Sequence, residues 1–349
     1  MKNDLKNLFD SKKYQDPVII KNEKVETLKK MLSSMLLIRK TEQQLAWGKK
    51  NNLIGGPVHL GVGQEAIAVG VSQNLKKTDR VFGAHRSHSH LLALNQNFYK
   101  LFAEVLGKKT GFSRGMGGSM HLYDQPSGFY GSVPIVAGTV PLAVGAAMEA
   151  KFTKKKDIAV AYIGDGAVEE GVVQESFNLA KVQQSPILFV IENNLFASHM
   201  YITQRQPSKK ISRFALANKI PYQLVDGNDV ISVSKTSKKL IDQIRSGKGP
   251  ALIEFITYRW YGHVDWREDI DVGVKRSLKD VANWKKRDPI LRLSKSMIKN
   301  KIWNKKKEIS LNKKIDNDIK ISWKKAMNDP YPSSDATLKY VFSKRNNEK

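Results

Sequence analysis

The chain has 349 residues, 41% of them apolar and 26% charged, with no cysteine and a formal net charge of +26. That is the composition of a globular chain with a substantial core, and the lack of cysteine excludes disulfides, thiolate catalysis and Cys-ligated zinc. No apolar run reaches the roughly 18–20 residues of a membrane helix, and residues 1–20 carry no signal-peptide core, so a cytoplasmic setting with no membrane role is expected.

Residues 1–25 are polar and read as a loosely held N-terminal arm. From 26 to 50, Leu28, Met31, Leu32, Met35 and Leu36 recur at i, i+3 and i+4, which predicts an amphipathic helix. Residues 63–75, 88–107 and 140–152 read as further helices, the last rich in small residues and buried. Alternating elements then begin. "DIAVAYI" (157–163) is a continuous apolar run of strand length, the pattern of a strand covered on both faces. Residues 168–184 read as a helix with Glu169 and Glu170 in its first turn, where the macrodipole favours acids. Strands follow at 187–192, 221–227 and 250–259. Strand, long crossover and strand imply a parallel sheet with right-handed connections. The predicted class is α/β: a doubly wound, mostly parallel sheet with helical N- and C-terminal flanks. No linker or repeat interrupts it. Residues 26–349 therefore read as one domain, with a Lys-rich helical part from about 278.

Positive charge is spread along the chain and is densest at Lys295–Ile315, which reads as one or more solvated helices. A nucleic-acid binder would gather its charge on one face or tail. No nucleic-acid role is expected, and an acidic protein partner suits the charge better. "GKKTG" (107–111) and "SGKGP" (246–250) do not fit the GxxxxGK[ST] phosphate loop.

In such sheets ligands bind beyond the carboxyl ends of the strands. The strand at 157–163 runs into Gly164-Asp165-Gly166 and the strand at 187–192 into Asn193-Asn194. One crossover brings both ends to the same sheet edge, so Asp165 and Asn194 sit side by side. A carboxylate, an amide oxygen and a loop carbonyl form a hard oxygen set, completed to six by two phosphate oxygens and a water around Mg²⁺. Glycines allow backbone to approach a diphosphate, and a helix start offers it N–H groups. Singly, GDG is a common turn, and Asp165 alone is more often a turn or cap residue than a ligand. The joint pattern, with 26 residues between GDG and NN holding one helix and one strand, is far more demanding.

That joint pattern resembles the thiamine-diphosphate fingerprint. The wider chain resembles the alpha subunit of the thiamine-dependent dehydrogenase component of 2-oxo-acid and acetoin dehydrogenase complexes. The resemblance rests on "HLGVGQEA" (59–66), "HRSHSH" (85–90), "GMGGSMHLYD" (115–124), "IVAGTVPLAVGAA" (135–147), "GDGAVEEG" (164–171), "ENN" (192–194), "VDGND" (225–229), "RSGKGPALIEFITYRWYGH" (245–263), "WKKRDPI" (284–290) and "NDPYPS" (328–333).

The resemblance implies thiamine diphosphate and Mg²⁺ as cofactors. Asp165, Asn194 and the carbonyl of Phe196 would be the metal ligands. Gly166 and Ala167 would offer N–H groups to the diphosphate, and Arg86 would clamp it. His85 stands where many relatives have Tyr. Val136 would meet the aminopyrimidine through its backbone, as would the carbonyl of Pro134, where several relatives have Gly. His59 and His263 match the family's active-site histidines, and His263 is placed at a strand end. His88, His90 and His121 are either supporting residues around the site or structural ones.

In the family the glutamate that activates the cofactor belongs to a beta subunit. An incomplete site is therefore expected here, completed in an assembly of two alpha and two beta chains. The acyl group would pass to a lipoyl acyltransferase. Pyruvate or a related 2-oxo acid is the first substrate expectation, acetoin the second, and a specialised pathway carbonyl compound the third. Val264 occupies the position of the mammalian regulatory serine, which excludes kinase control at that residue. The loop 264–277, which lines the substrate channel in the family, departs from the family pattern. The competing non-enzymatic reading is a basic binding protein.

Overall fold

The computed structural model of the chain describes residues 7–264, 266–268, 270–271 and 274–339. Its strands are β1 (Arg80–Gly83), β2 (Phe129–Ser132), β3 (Ala159–Gly164), β4 (Ile187–Asn193), β5 (Phe196–Ala197), β6 (Met200–Tyr201), β7 (Tyr222–Asp226), β8 (Ala251–Ile256), β9 (Ile270–Asp271) and β10 (Val274–Lys275). Its helices are α1 (Val25–Lys50), α2 (Glu65–Ser72), α3 (His88–Asn95), α4 (Phe98–Val105), α5 (Thr139–Phe152), α6 (Gly171–Val182), α7 (Arg213–Ala217), α8 (Val230–Arg245), α9 (Leu278–Lys286), α10 (Pro289–Lys299), α11 (Lys305–Asn328) and α12 (Ala336–Lys339).

Side-chain alternation explains why both sheet faces are covered. In β3, Ala159, Ala161 and Ile163 enter one apolar cluster, while Val160 and Tyr162 enter the other. In β4, Ile187, Phe189 and Ile191 split in the same way from Leu188 and Val190. A strand apolar at every position must therefore be covered twice. Helices α5 and α6 cover one face, and α1, α2, α8 and α10 the other. The six-stranded sheet runs β2-β1-β3-β4-β8-β7 with every pairing parallel. This is the predicted α/β architecture. Gly164 pairs with Glu192, so the exits of β3 and β4 lie level with each other.

Several elements differ from the sequence expectation. Strands β1 and β2 were not anticipated; each has only four residues, too few to show a period. The helix expected over 88–107 is two helices, broken where Gln96 adopts a φ of 55°. The strand expected to reach 259 ends at Ile256. The helix expected from 168 starts at Gly171, and a single 3₁₀ turn, Ala167–Glu169, precedes it. Glu170 is thus the residue before the helix rather than part of its first turn. Helix α5 is only half buried: Ala143, Val144 and Ala147 face the core, while Leu142 is 59% exposed.

The described part of the N-terminal arm is docked rather than loose. Leu8, Val18 and Ile20 are buried, and the carbonyls of Leu8, Asp16 and Val18 accept hydrogen bonds from Arg287, Arg292 and Ser296. Burying three apolar side chains is worth about 1.5–3 kcal/mol each, enough to hold a short segment down. The Lys-rich tract forms α10 and α11 as expected of solvated helices, with its lysines outward and Met297, Ile315 and Trp323 inward. Part of the 264–277 loop (265, 269, 272 and 273) lies outside the described residues.

Candidate active site

The exits of β1, β3 and β4 converge on a cavity of about 400 Å³. The eleven residues to which the resemblance gives a cofactor, metal or catalytic role all line it: His59, His85, Arg86, Pro134, Val136, Asp165, Gly166, Ala167, Asn194, Phe196 and His263. They arrive from six separate stretches of chain. The location is the one an open parallel sheet predicts, beside the β1/β3 switch point.

The oxygen side forms from the crossover. Asp165 is 1% exposed and Asn194 7% exposed. Asn194 Oδ1 accepts the Phe196 N–H at 3.1 Å, which turns the chain into the β5–β6 hairpin. Burial raises the Asp165 carboxyl above its usual range, and the guanidinium of Arg205 works against that rise. Arg205 bridges Asp165 and Glu169. The two glycines differ in purpose. A Cβ on Gly164 would meet nothing within 4 Å, so this glycine leaves open space, whereas one on Gly166 would fall 2.5 Å from the Cβ of Ala197. Gly166 is needed for the hairpin to close over the turn.

The imidazole side forms from loops stitched together. Trp260 N–H donates to the Val62 carbonyl at 2.9 Å, and Asn228 Nδ2 reaches the Gly63 carbonyl at 3.3 Å. Gly63 has a φ of +100°, and a side chain there would strike Trp260. The first bond lays the segment carrying His59 against the chain leaving β8, and the second ties it to the loop after β7. His263 is therefore not at a strand end: it lies seven residues beyond Ile256, in irregular chain. Arg86 joins the two segments, donating to the Leu60 carbonyl at 2.6 Å and the His263 carbonyl at 3.3 Å.

Three of the histidines that line the cavity, His59, His85 and His263, are held neutral at pH 7. Burial, with Arg86 next in weight, holds His85 down to about 3 and His263 to about 2, and pushes His59 lower still. A neutral imidazole accepts or donates a proton at no cost of an existing charge.

Glu192, quoted in the sequence only as part of "ENN", and Arg205 were given no role from the sequence, whereas His88, His90 and His121 were expected as supporting or structural residues. Glu192 lines the cavity and its carboxylate accepts a hydrogen bond from His90 Nε2 at 3.1 Å; His90 in turn stacks on Tyr162, with ring centroids 3.7 Å apart. Arg205 lies 40 residues from Asp165, in a turn with no periodic signal. His88 is buried, its Nε2 2.9 Å from Ser119 Oγ and its Nδ1 3.3 Å from Glu42, and it ties α1 to the glycine-rich loop. His121 is exposed, has its Nδ1 3.1 Å from the Gly117 carbonyl oxygen and does not line the cavity.

Other motifs turn out to be clamps. The buried Glu104 carboxylate accepts four backbone N–H bonds, from Ser113, Gly115, Gly117 and Gly118, at 2.6–3.1 Å. It organises the "GMGGSMH" loop, which carries Met120 to the cavity wall. Asp226 of "VDGND" is held by Arg287 and Arg292, each at 2.8 Å, and these two cations keep its carboxyl below the usual range against the opposing effect of burial.

The sequence profile of the dehydrogenase E1 component family matches residues 33–335. The chain belongs to that family. A pyruvate dehydrogenase E1 component subunit alpha of Rhizobium meliloti is 34% identical over 305 residues, covering 87% of this chain and 86% of the relative. One of Rickettsia typhi is 32% identical over 335 residues, covering 95% and 98%. The alpha subunit of acetoin:2,6-dichlorophenolindophenol oxidoreductase of Bacillus subtilis is 33% identical over 312 residues, covering 90% and 92%. The E1 chain described here is accordingly a thiamine-dependent oxidoreductase chain. Among the described residues no helix is long and apolar enough to cross a membrane.

Proposed function

We propose that this E1 chain is the alpha subunit of a thiamine-diphosphate- and Mg²⁺-dependent dehydrogenase that decarboxylates pyruvate or a close 2-oxo acid. The observation that carries the reading is the pairing of Asp165 with Asn194 at level strand exits, facing one cavity with three neutral histidines. The donor set fits the group: a buried carboxylate and an amide oxygen suit Mg²⁺, and the open space over Gly164 suits a diphosphate. Phe196 would add its carbonyl to the metal, and Gly166 and Ala167 their N–H groups to the phosphates.

Bound thiamine diphosphate supplies the nucleophilic carbon and the electron sink that cleavage beside a carbonyl requires. The chain's own residues hold and orient. Arg86, planar and already fixed by two carbonyls, presents a fork suited to phosphate oxygens. Pro134 and Val136 border the cavity where the aminopyrimidine would lie. His59 and His263 are placed to orient the cofactor and move protons at the reacting carbonyl.

The partner is a beta subunit, which completes the site, in an assembly read as two alpha and two beta chains. Exposed apolar residues beside the cavity mouth support this. Ile135 is 70% exposed, Val136 50% and Leu142 59%; such clustering marks a contact surface. The product acyl group passes to a lipoyl acyltransferase. We place the enzyme in the cytoplasm and read residues 26–349 as one domain behind the arm at 1–25. Acetoin is kept as a second substrate because the acetoin relative is nearly as similar as the pyruvate one.

The test is calorimetric titration of the alpha–beta complex with thiamine diphosphate and Mg²⁺. Binding that Asp165→Ala abolishes is the expected result; no binding, or binding indifferent to Asp165→Ala, refutes the reading. Reduction of an artificial electron acceptor with pyruvate, branched 2-oxo acids and acetoin in parallel then identifies the substrate.

A further inference from the structure

We propose that Met120 is a gate between the reaction cavity and a second, apolar pocket beside it, and that its side chain sets the largest carbonyl substrate the enzyme accepts. The inference rests on the proposed reaction and adds to it the element that selects among substrates.

The second pocket has a volume of about 340 Å³. Its apolar walls are Ile54 and Pro57, from the chain between α1 and α2, Val105 at the end of α4, and Met116 and Met120 of the glycine-rich loop. Ile54 and Val105 are buried. Glu104 also borders the pocket, but its carboxylate already accepts four backbone N–H bonds, its full complement. Among the described residues Met120 alone lines both this pocket and the cavity of about 400 Å³. The two spaces therefore meet at its side chain. They meet on the imidazole side, because Pro57 of the pocket lies two residues before His59 of the cavity, at most about 7 Å along the chain.

Backbone and side chain differ in freedom at this position. Ser119 Oγ lies 2.9 Å from His88 Nε2. Ser132 Oγ donates to the Met120 carbonyl at 2.8 Å and accepts the Leu122 N–H at 3.1 Å. With Glu104 holding Gly117 and Gly118, the main chain is fixed on both sides of Met120. The side chain itself is half-buried, unbranched and turns about three bonds, so it can swing while the loop stays still. In place it is a wall of both spaces; swung aside or shortened, it joins them. An alkyl chain on the reacting carbonyl then extends into the apolar pocket, where each methylene taken from water adds about fourfold to kcat/KM.

The experiment measures kcat/KM of the alpha–beta complex for straight-chain 2-oxo acids of three to seven carbons, or for the matching acyloins if acetoin is the substrate. The proteins are wild type, Met120→Leu, Met120→Ala and the double variant Met120→Ala with Gly56→Leu. Gly56 borders only the second pocket, its backbone lies outside the left-handed region, and an added Cβ meets no atom within 4 Å, so leucine there fills the pocket without a backbone clash. In wild type and Met120→Leu, kcat/KM should fall as the chain lengthens. In Met120→Ala it should rise about fourfold per added carbon, and Met120→Val, a smaller change, should show the same trend at reduced size. The double variant should lose the gain. No gain in Met120→Ala and Met120→Val, or a gain that survives Gly56→Leu, overturns the gate. Thiamine diphosphate binding, read by calorimetry, should be equal in all of these proteins; its loss in both Met120→Ala and Met120→Val makes Met120 a cofactor contact and also overturns the gate. Turnover of no 2-oxo acid and no acyloin by wild type refutes the proposed reaction and the gate with it, whereas turnover without the gain refutes the gate alone.

Discussion

Replacing Arg205 by Met should destabilise the unloaded protein and leave the loaded one nearly unchanged. Arg205 is 7% exposed and bridges two carboxylates, one of them Asp165 at 1% exposure. Removing one partner of a buried ion pair costs about 3–5 kcal/mol, because the other charge is left uncompensated. The lower end applies, since burial already raises the Asp165 carboxyl and a proton can replace the lost cation. With an unfolding entropy of about 2.1 cal/mol/K per residue over the whole chain, about 3 kcal/mol corresponds to a fall of ~4 °C in Tm. When Mg²⁺ binds Asp165, the metal supplies the missing charge and the penalty disappears. Linkage then requires the variant to bind metal and cofactor more tightly, by up to about 100-fold for the same 3 kcal/mol. Differential scanning calorimetry of wild type and Arg205→Met, each with and without thiamine diphosphate and Mg²⁺, measures both effects. An equal loss of Tm in the loaded and unloaded forms, or weaker binding in the variant, would refute the reasoning.

The three depressed histidines make the unloaded protein acid-sensitive. Because their folded pKa values lie below the unfolded one, the unfolded chain binds more protons as pH falls below about 6.5, at a cost of about 1.4 kcal/mol per pH unit for each histidine. Stability is full above that pH and lost below it; His59→Gln should flatten the denaturation profile between pH 6.5 and 4, and an unchanged slope there counts against the neutral assignment. Gly164→Ala should leave the stability within about 0.5 kcal/mol of wild type yet weaken cofactor binding, since its methyl meets no protein atom within 4 Å and the residue lines the cavity. Gly166→Ala should cost about 1–3 kcal/mol, because the Ala197 hairpin must move; equal Tm values for the two variants would contradict the steric account. Arg287→Met should cost about 3 kcal/mol, the lower end of the range for a broken buried pair because buried Asp226 keeps Arg292, with no dependence on Mg²⁺, in contrast to Arg205→Met.

The legible parts of the fold were those whose residues carry a continuous local signal. Strands β3 and β4 were found because every position is apolar, and α1 because five core residues keep helical spacing. Strands β1 and β2 carry "RVFG" and "FYGS", which read equally well as turns. They pair only because the sheet is already there. At the cavity, Asp165 and Asn194 were accessible from spacing alone, since one crossover fixes their relation. The histidines came from resemblance to relatives, not from periodicity, because three loops from distant parts of the chain bring them together. Arg205 gave no local signal, and although His90 and Glu192 stood in quoted motifs their pairing was not foreseen. Their roles exist only through contacts across 40 and 102 residues of sequence.

The strand order also constrains how the chain is made. Strand β8 is the last of the six to leave the ribosome, yet it lies inside the sheet, between β4 and β7. Until Ala251–Ile256 emerges, β4 has a bare apolar edge and the cavity lacks the wall that carries His263. Synthesis of residues 194–256, between the end of β4 and the end of β8, takes roughly 3–13 s at ordinary elongation rates, and through that interval the edge is open to pairing with another nascent chain. The chain therefore becomes competent to take up its cofactor only after β8 has been inserted, late in its own translation.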